Sequence, residues 1–243
     1  ALQTVNCTIT YSVLDEATDF AVTDAFVDAV GQDTDVVFLC QPNNPTGRIT
    51  PPALVEKLLQ LCAASGAVLA VDECFLDFAA GREALTAKAF LQEYPNLILI
   101  KAFTKLYAMA GVRLGYALCS NTALLEKMRT AGQPWAVSTL AQAAGTAALD
   151  EAAYADAVRA LVAQQRPVLT SGLRALGLRV IEGSANFLLF CAPADLGQKL
   201  RQRGAVVRSC GNYPGLDATW YRTAVRTEAE NRQLLRLIKE VLE

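Results

Sequence analysis

The sequence contains no histidine, and this absence narrows the chemistry it can perform. Histidine is the commonest general base and the centre of the serine–histidine–aspartate arrangement, so proton transfer must depend on Lys, Tyr, Asp, Glu or a cofactor. The seven cysteines stand singly, without Cys-x-x-Cys pairs, and with no histidine a zinc site is not expected. Because they are odd in number and lie mostly within apolar runs, we expect reduced thiols rather than a disulfide framework.

Strong charge and long apolar runs are also absent. The net charge of −2 gives no electrostatic reason to expect nucleic acid or an anionic membrane as a partner. No apolar run reaches the length of a membrane span, and no signal peptide is recognised, so we expect a cytoplasmic protein. What the chain does have is 243 residues with 53% apolar side chains, enough for one large or two ordinary domains.

Short apolar runs alternate with helical patterns through the first half of the chain. Strands are predicted at Thr8–Val13, Asp35–Cys40, Ala67–Val71, Asn96–Ile100 and Leu114–Leu118. Helices are predicted at Thr23–Val30, Pro51–Ser65, Ala84–Glu93 and Thr122–Thr130. Repeated strand–helix–strand order with buried strands predicts an α/β fold with a mostly parallel sheet.

The second half has a different pattern. It is rich in alanine and helical from Thr139 to Leu178, with one long connecting helix over Ala152–Leu176. After it we predict strands at Arg179–Ile181, Phe187–Cys191 and Ala205–Arg208, and a closing amphipathic helix at Glu228–Leu242. We therefore predict a large domain over residues 1–154 and a smaller α+β domain over residues 155–243.

Polar side chains follow three of the predicted strands where each strand ends: Asn44, Asp72 and Lys105. Because the carboxyl ends of parallel strands meet at one edge, where ligands bind, we expect these residues to converge. Partial burial of an amine at such a position makes it a usable nucleophile for a carbonyl. Taken singly, each residue also has an ordinary structural explanation, as a turn Asn, a helix-capping Asp or a solvated Lys.

Four motifs in this order resemble those of the fold-type I enzymes that use pyridoxal 5′-phosphate (PLP), the aminotransferase class I/II superfamily. They are Asn43-Asn44-Pro45-Thr46-Gly47, Val71-Asp72-Glu73, Thr104-Lys105 and Gly111-Val112-Arg113-Leu114-Gly115. The resemblance implies a PLP-dependent transferase large domain with a smaller α+β C-terminal domain. It also implies PLP as the cofactor and a homodimer as the assembly.

The resemblance also implies a role for each matching residue. Lys105 would bind PLP covalently and later move protons, and Asp72 would bind the pyridinium nitrogen and keep it protonated. Asn44 would bind the phenolic oxygen. Thr104 and Arg113 would help to hold the cofactor phosphate, the arginine through charge-assisted hydrogen bonds.

Further segments resemble the L-threonine O-3-phosphate decarboxylases of cobalamin biosynthesis, relatives of histidinol-phosphate aminotransferase. They are Gln133–Ser138, Arg208–Asp217, Tyr221-Arg222 and Val225–Thr227. In that family PLP decarboxylates threonine phosphate to (R)-1-amino-2-propanol O-2-phosphate. The resemblance implies that Arg222 binds the substrate carboxylate and Arg208 the substrate phosphate, with Asn186 as an added contact.

Two departures from the family pattern matter, together with one gap. Phe75 stands where aminotransferases place a cofactor-binding tyrosine, a change typical of the decarboxylases, and Ala102 replaces a usual Ser or Thr. Family members also carry an N-terminal segment before the position of Ala1, with a phosphate-binding helix N-terminus and dimer contacts, which we expect this chain to lack.

The alternatives are a histidinol-phosphate-type aminotransferase and, from another class, a non-catalytic C-terminal fragment without cofactor. A nucleotide-binding α/β domain is disfavoured, because no Gly-x-Gly-x-x-Gly loop follows a strand.

Overall fold

The computed structural model describes residues 5–243, so the first four residues of the predicted domain 1–154 lie outside the described part. The first half contains α1 (Asp24–Asp28), β1 (Val36–Cys40), α2 (Pro52–Ser65), β2 (Val68–Asp72), α3 (Arg82–Leu85), β3 (Leu97–Ala102), α4 (Phe103–Leu106), β4 (Gly115–Leu118) and α5 (Thr122–Ala131). The second half contains α6 (Thr139–Leu149), α7 (Ala152–Ala175), β5 (Arg179–Ile181), β6 (Phe187–Cys191), α8 (Leu196–Gln202), β7 (Arg208–Ser209), β8 (Trp220–Ala224) and α9 (Glu228–Leu242).

The first sheet has the strand order β1-β2-β3-β4. Its first three strands are parallel and β4 runs antiparallel to β3, which confirms the prediction of a mostly parallel α/β sheet. The register pairs Asp72 with Cys40 on one side and with Ile100 on the other. The carboxyl ends of β1, β2 and β3 therefore meet at a single edge.

The core of this half forms because each strand is a short apolar run. Leu69, Val71 and Leu97 are fully buried in the sheet, and α2 packs Leu58 and Leu59 against it. The helix α2 has proline at its first position and ends at Gly66, whose φ of 79° is the left-handed conformation that suits glycine at a helix end. Burial of this apolar layer fixes the sheet edge on which the site is built.

The second sheet has the order β5-β6-β8-β7, with every neighbouring pair antiparallel. One face packs against α7, α8 and α9 through residues such as Phe190, Leu196 and Ile238. On the other face Phe20, from the chain segment before α1, contacts Trp220 edge-on at 5.1 Å. This arrangement matches the predicted α+β character of the C-terminal half.

The helix α7 joins the two halves. Ala155 and Val162, in its first half, pack with Phe78 and Leu106 beside the first sheet. Leu169, in its second half, belongs to the core of the second sheet. Because one helix contributes to both cores, the boundary at residues 154 and 155 stays a prediction.

Three local predictions were wrong. No strand forms at Thr8–Val13. The predicted helix Ala84–Glu93 is divided, because Thr86 is extended (ψ 138°) and its side chain caps the short 3-10 helix that follows. The strand predicted at Ala205–Arg208 lies instead at Arg208–Ser209.

Three elements were not predicted, α4, α8 and β8. In β8 an arginine and a threonine interrupt the apolar pattern, so a run-based interpretation missed this strand although it is the central partner of β6 and β7. The position of β8 matters for function, because it carries Arg222.

Within the part of the chain that the structure describes, no helix is both long and apolar enough to span a bilayer. Over the same residues, no group of three or more His, Cys, Asp or Glu side chains is arranged to hold a metal ion. All seven cysteines are free thiols, of which Cys62 and Cys210 are buried and Cys7 is exposed.

Candidate active site

The turn that follows β1 places Asn44 between the two sheets. The Gly47 amide donates to the Asn43 carbonyl at 2.7 Å, and the Asn43 side chain donates to the Thr46 hydroxyl at 2.9 Å. The turn is then fixed to the loop between β5 and β6, because the Ser184 amide donates to the Gly47 carbonyl at 2.7 Å. The turn that carries Asn44 is therefore held by hydrogen bonds from both halves of the molecule.

The two adjacent carboxylates at the end of β2 have different environments. Glu73 is 1% exposed and accepts hydrogen bonds at 2.7 Å from the Thr86 hydroxyl and from the Ala87 amide. Burial raises the pKa of the Glu73 carboxyl. Asp72 is half-buried and accepts from the Cys74 amide at 2.9 Å. Glu73 therefore supports the fold, while Asp72 keeps acceptor capacity for a ligand at the sheet edge.

Two thiols flank Asp72 and are held neutral. Burial, followed by the charge of Asp72, raises the pKa of the Cys40 thiol to about 11. Burial, followed by a hydrogen bond to Asp72 and its charge, raises the pKa of the Cys74 thiol to about 12. Because the thiolate is the reactive form, neither cysteine competes as a nucleophile at this edge near neutral pH.

Lys105 lies in α4, the short helix that directly follows β3. Its side chain is exposed, whereas the sequence suggested partial burial. The Lys105 Nζ lies 5.1 Å from the ring centroid of Phe75, which comes from the segment after β2. The amine thus faces an aromatic ring at the edge of the first sheet. Asp72, the last residue of β2, lies at the same edge.

The second sheet meets this edge through Phe187 and Arg222. The rings of Phe75 and Phe187 contact edge-to-face, with centroids 5.0 Å apart. The Arg222 guanidinium carbon lies 4.9 Å from the Phe187 ring centroid, and the same guanidinium donates to the Asn44 Oδ1. Contacts therefore run from Lys105 through two aromatic rings to Arg222 and back to the first sheet at Asn44.

Two arginines lie side by side on the second sheet. Arg208 in β7 is directly opposite Arg222 in β8. Arg208 is exposed, and its Nη2 donates to the Asn212 Oδ1 at 3.2 Å. Both charges act on Cys210: burial raises the pKa of this thiol, and Arg222 and Arg208 oppose that rise. Like charges directly opposite each other repel, so this pair suits a ligand with two anionic groups.

Besides Asp72 and Arg208, three predicted site residues are not joined to the others by side-chain contacts in the region 5–243. Thr104 is half-buried in α4. Arg113 has a φ of 58°, and its guanidinium donates to the Ala110 carbonyl at 3.1 Å. The main-chain carbonyl of Asn186 accepts from the Val225 amide at 2.8 Å. The roles of these three residues stay predictions.

Sequence reasoning missed two residues that touch the site. Phe187 begins the apolar run of β6, where nothing distinguishes it from a core residue. Asn212 lies in the loop that was recognised as similar to the decarboxylases, but it was given no role. The available signal for Asn212 was its position four residues after Arg208.

Comparison with known proteins identifies the family and the fold of the chain. The family model for aminotransferase class I and II matches residues 2–238. Threonine-phosphate decarboxylase of Salmonella typhimurium is 35% identical over 246 residues, which cover 100% of this chain and 67% of that protein. Histidinol-phosphate aminotransferase of Symbiobacterium thermophilum is 35% identical over 221 residues, which cover 90% of this chain and 60% of that protein.

Among solved structures, the histidinol-phosphate aminotransferase of Clostridium acetobutylicum superposes with a TM-score of 0.93 at 26% identity. The superposition covers 99% of this chain and 73% of the other. The chain thus spans about two thirds, or less, of the two curated relatives that it matches. Their names divide between decarboxylation and amino transfer.

Proposed function

Because the chain belongs to the aminotransferase class I and II family, whose cofactor is PLP, we propose that it carries the active site of a PLP-dependent carboxy-lyase. The proposed reaction is decarboxylation of L-threonine O-3-phosphate to (R)-1-amino-2-propanol O-2-phosphate, a step of cobalamin biosynthesis. The observation that carries this proposal is the pairing of Arg208 with Arg222 across β7 and β8. Since the chain covers only part of its relatives, the activity is proposed for the whole protein that contains it.

The donor set at the sheet edge fits PLP. The Lys105 amine can bind an aldehyde, and Asp72 offers a carboxylate to a protonated ring nitrogen. Asn44 accepts from Arg222 through its oxygen, so its amide NH₂ group stays available to a ring oxygen. We propose that Thr104 and Arg113 hold the cofactor phosphate and that the Phe75 ring borders the cofactor.

PLP, when bound, supplies an electron sink for the bond that breaks at the substrate α-carbon. We propose that Arg222 binds the substrate carboxylate and Arg208 the substrate phosphate, each by charge-assisted hydrogen bonds, with Asn186 as an added contact. Two anchored ends would fix the rotation of the substrate, and so these arginines would select which bond at its α-carbon breaks. Lys105, as the ammonium, would deliver a proton to the substrate α-carbon and become the neutral amine.

The alternative is an aminotransferase of the histidinol-phosphate type, which the second relative and the superposed structure favour. Product analysis of the full-length, PLP-loaded protein separates the two. We expect carbon dioxide to form from threonine phosphate without an added keto acid. Amino transfer that requires a keto acid, with no carbon dioxide released, would overturn the decarboxylase assignment and leave the aminotransferase.

We also propose that the protein is cytoplasmic and homodimeric. Several large apolar side chains between residues 135 and 154 are exposed, among them Trp135 at 96%, Leu140 at 83% and Leu149 at 65%. Such a group of apolar side chains is typical of an interface. Sedimentation of the full-length protein tests the assembly, and a monomer at micromolar concentration would contradict it.

A further inference from the structure

A pair of aromatic rings stands between the amine of Lys105 and the guanidinium of Arg222. Phe75 comes from the segment after β2 and Phe187 from β6, and their rings contact edge-to-face with centroids 5.0 Å apart. Lys105 lies over the first ring at 5.1 Å and Arg222 over the second at 4.9 Å. Two of the cationic groups of the proposed reaction are therefore placed against one pair of aromatic rings.

The register of the second sheet explains how Phe187 reaches Arg222. Leu189 is directly opposite Arg222 in the β6–β8 pair, and Phe187 lies two residues before Leu189 on the same face of β6. Diagonal neighbours of this kind are within reach of an aromatic side chain. Phe187 is 3% exposed, so its ring is held by packing and presents a fixed face to the guanidinium.

Among the described residues, the Arg222 guanidinium makes one hydrogen bond, to the Asn44 oxygen, and no salt bridge. That bond anchors one nitrogen and leaves rotation of the guanidinium plane open. A guanidinium that stacks on an aromatic face lies parallel to the ring, and its in-plane N–H groups stay free to donate.

We propose that Phe187 is a positioning residue that fixes the plane of the Arg222 guanidinium and so orients the carboxylate of the substrate. This inference rests on the proposed function, because it assumes that Arg222 binds that carboxylate. Phe187 acts through Arg222 and does not itself react. Its effect is limited to ligands that carry a carboxylate.

The test compares the KM for threonine phosphate with the inhibition constant of the product, in the full-length, PLP-loaded protein and its Phe187→Leu variant. Threonine phosphate carries a carboxylate, whereas the product (R)-1-amino-2-propanol O-2-phosphate does not. Leucine keeps an apolar side chain and removes the ring face. We expect the affinity for threonine phosphate to fall about tenfold, as expected for a partly desolvated cation–π contact, with product affinity within about twofold of wild type.

Phe190→Leu is the matched control, because Phe190 lies in the same strand, is fully buried and stacks on Tyr221 on the opposite face of the sheet. We expect it to lower the thermal midpoint without changing the ratio of the two affinities. Phe187→Tyr keeps the ring face and should preserve that ratio, which keeps the inference testable if the leucine variant fails to fold.

The outcomes separate the two proposals. A Phe187→Leu variant that keeps the wild-type ratio, or that loses both ligands equally, overturns the positioning role while the proposed function stands. Wild-type protein that binds threonine phosphate no better than the product overturns the carboxylate role of Arg222 and with it the inference.

Discussion

The two sides of the candidate site are built in different ways. On the first sheet, Asn44, Asp72 and Lys105 each follow or end a different strand, and a local turn or short helix sets each position. On the second sheet, Arg208 and Arg222 lie within strands, so the register of β7 and β8 sets their positions together. The first side is therefore a set of separable residues, whereas the second side is one coupled surface.

This difference teaches where each kind of chemistry is placed. Groups that must carry out distinct tasks on a cofactor can vary independently when each has its own loop. Two cations that must hold the ends of one substrate benefit from a rigid spacing, which neighbouring strands provide. Loss of a residue on the first side should abolish a step, and loss on the second side should weaken binding by degrees.

The largest effect is expected from Lys105→Ala in the PLP-loaded, full-length protein. Removing the amine removes both covalent attachment and proton transfer, so turnover should fall by about a thousandfold or more. Steady-state kinetics with borohydride reduction and peptide mapping measures this directly. Lys127→Ala, at an exposed position of α5, is the control and should keep wild-type turnover. Full activity of the Lys105 variant would refute the assignment.

Single substitutions of the two arginines sharpen the contrast between the sides. Arg222→Ala should lower the affinity for threonine phosphate by about tenfold to a hundredfold, since charge-assisted hydrogen bonds contribute about 1.5–3 kcal/mol each. The affinity for the product, which has no carboxylate, should change little. Arg208→Ala should lower the affinity for both ligands, because both carry the phosphate. Titration of each variant with both ligands gives the comparison. Equal losses of the two ligands in the Arg222 variant would speak against the division of roles.

Gly183→Ala should disturb the contact between the turn that carries Asn44 and the loop between β5 and β6. A Cβ at this position would lie 2.9 Å from the Gly47 Cα and 3.0 Å from the Thr46 carbonyl oxygen. Because both neighbours are backbone atoms, the turn that holds Asn44 must shift, at a cost of about 1–3 kcal/mol of unfolding free energy. Urea denaturation measures the loss.

Gly111→Ala is the matched control for that measurement, since nothing lies within 4 Å of a Cβ there. We expect its denaturation midpoint to stay close to that of wild type. A Gly183→Ala variant as stable as Gly111→Ala would show that the two backbones can separate without cost.

The smallest effect is expected from Glu230 in α9, one of the helices that pack on the second sheet. At the start of α9, hydrogen bonds from Arg226 and Thr227 lower the pKa of the Glu230 carboxyl from 4.5 to about 2. A carboxyl with a lowered folded-state pKa stabilises the fold above its unfolded value, and this contribution is lost as pH falls from 4.5 toward 2.

Thermal unfolding of wild type and Glu230→Gln between neutral and acidic pH checks this point. We expect the variant to melt lower at pH 7, by on the order of a degree or two because the pair is exposed, and the gap to close by about pH 2. A gap that stays constant across this range would show that the ionised carboxylate contributes nothing.

The sequence predicted most of the first side, because the information there is local. Apolar runs locate the strands, turn residues end them, and the parallel topology brings Asp72 and Lys105 to one edge. The exposure of Lys105 was not predictable in the same way, since it depends on which elements cover α4 and not on the residues beside it.

The second side was predicted only by resemblance. Its geometry depends on strand register, a long-range property that neighbouring residues do not encode. β8 was missed although its Arg222 was expected in the site, and Phe187 could not be separated from the apolar core residues that follow it. The sequence alone did not show which strands pair with each other in the second sheet.

The helix α7 has a consequence for how the molecule unfolds. Ala155 and Val162 pack with Leu106, the residue next to Lys105, while Leu169 is buried behind the second sheet. Loosening the C-terminal layer therefore removes packing from the segment that carries the lysine. We therefore expect the two sheets to unfold in one cooperative transition, in which amide protection in α4 and α9 rises and falls together.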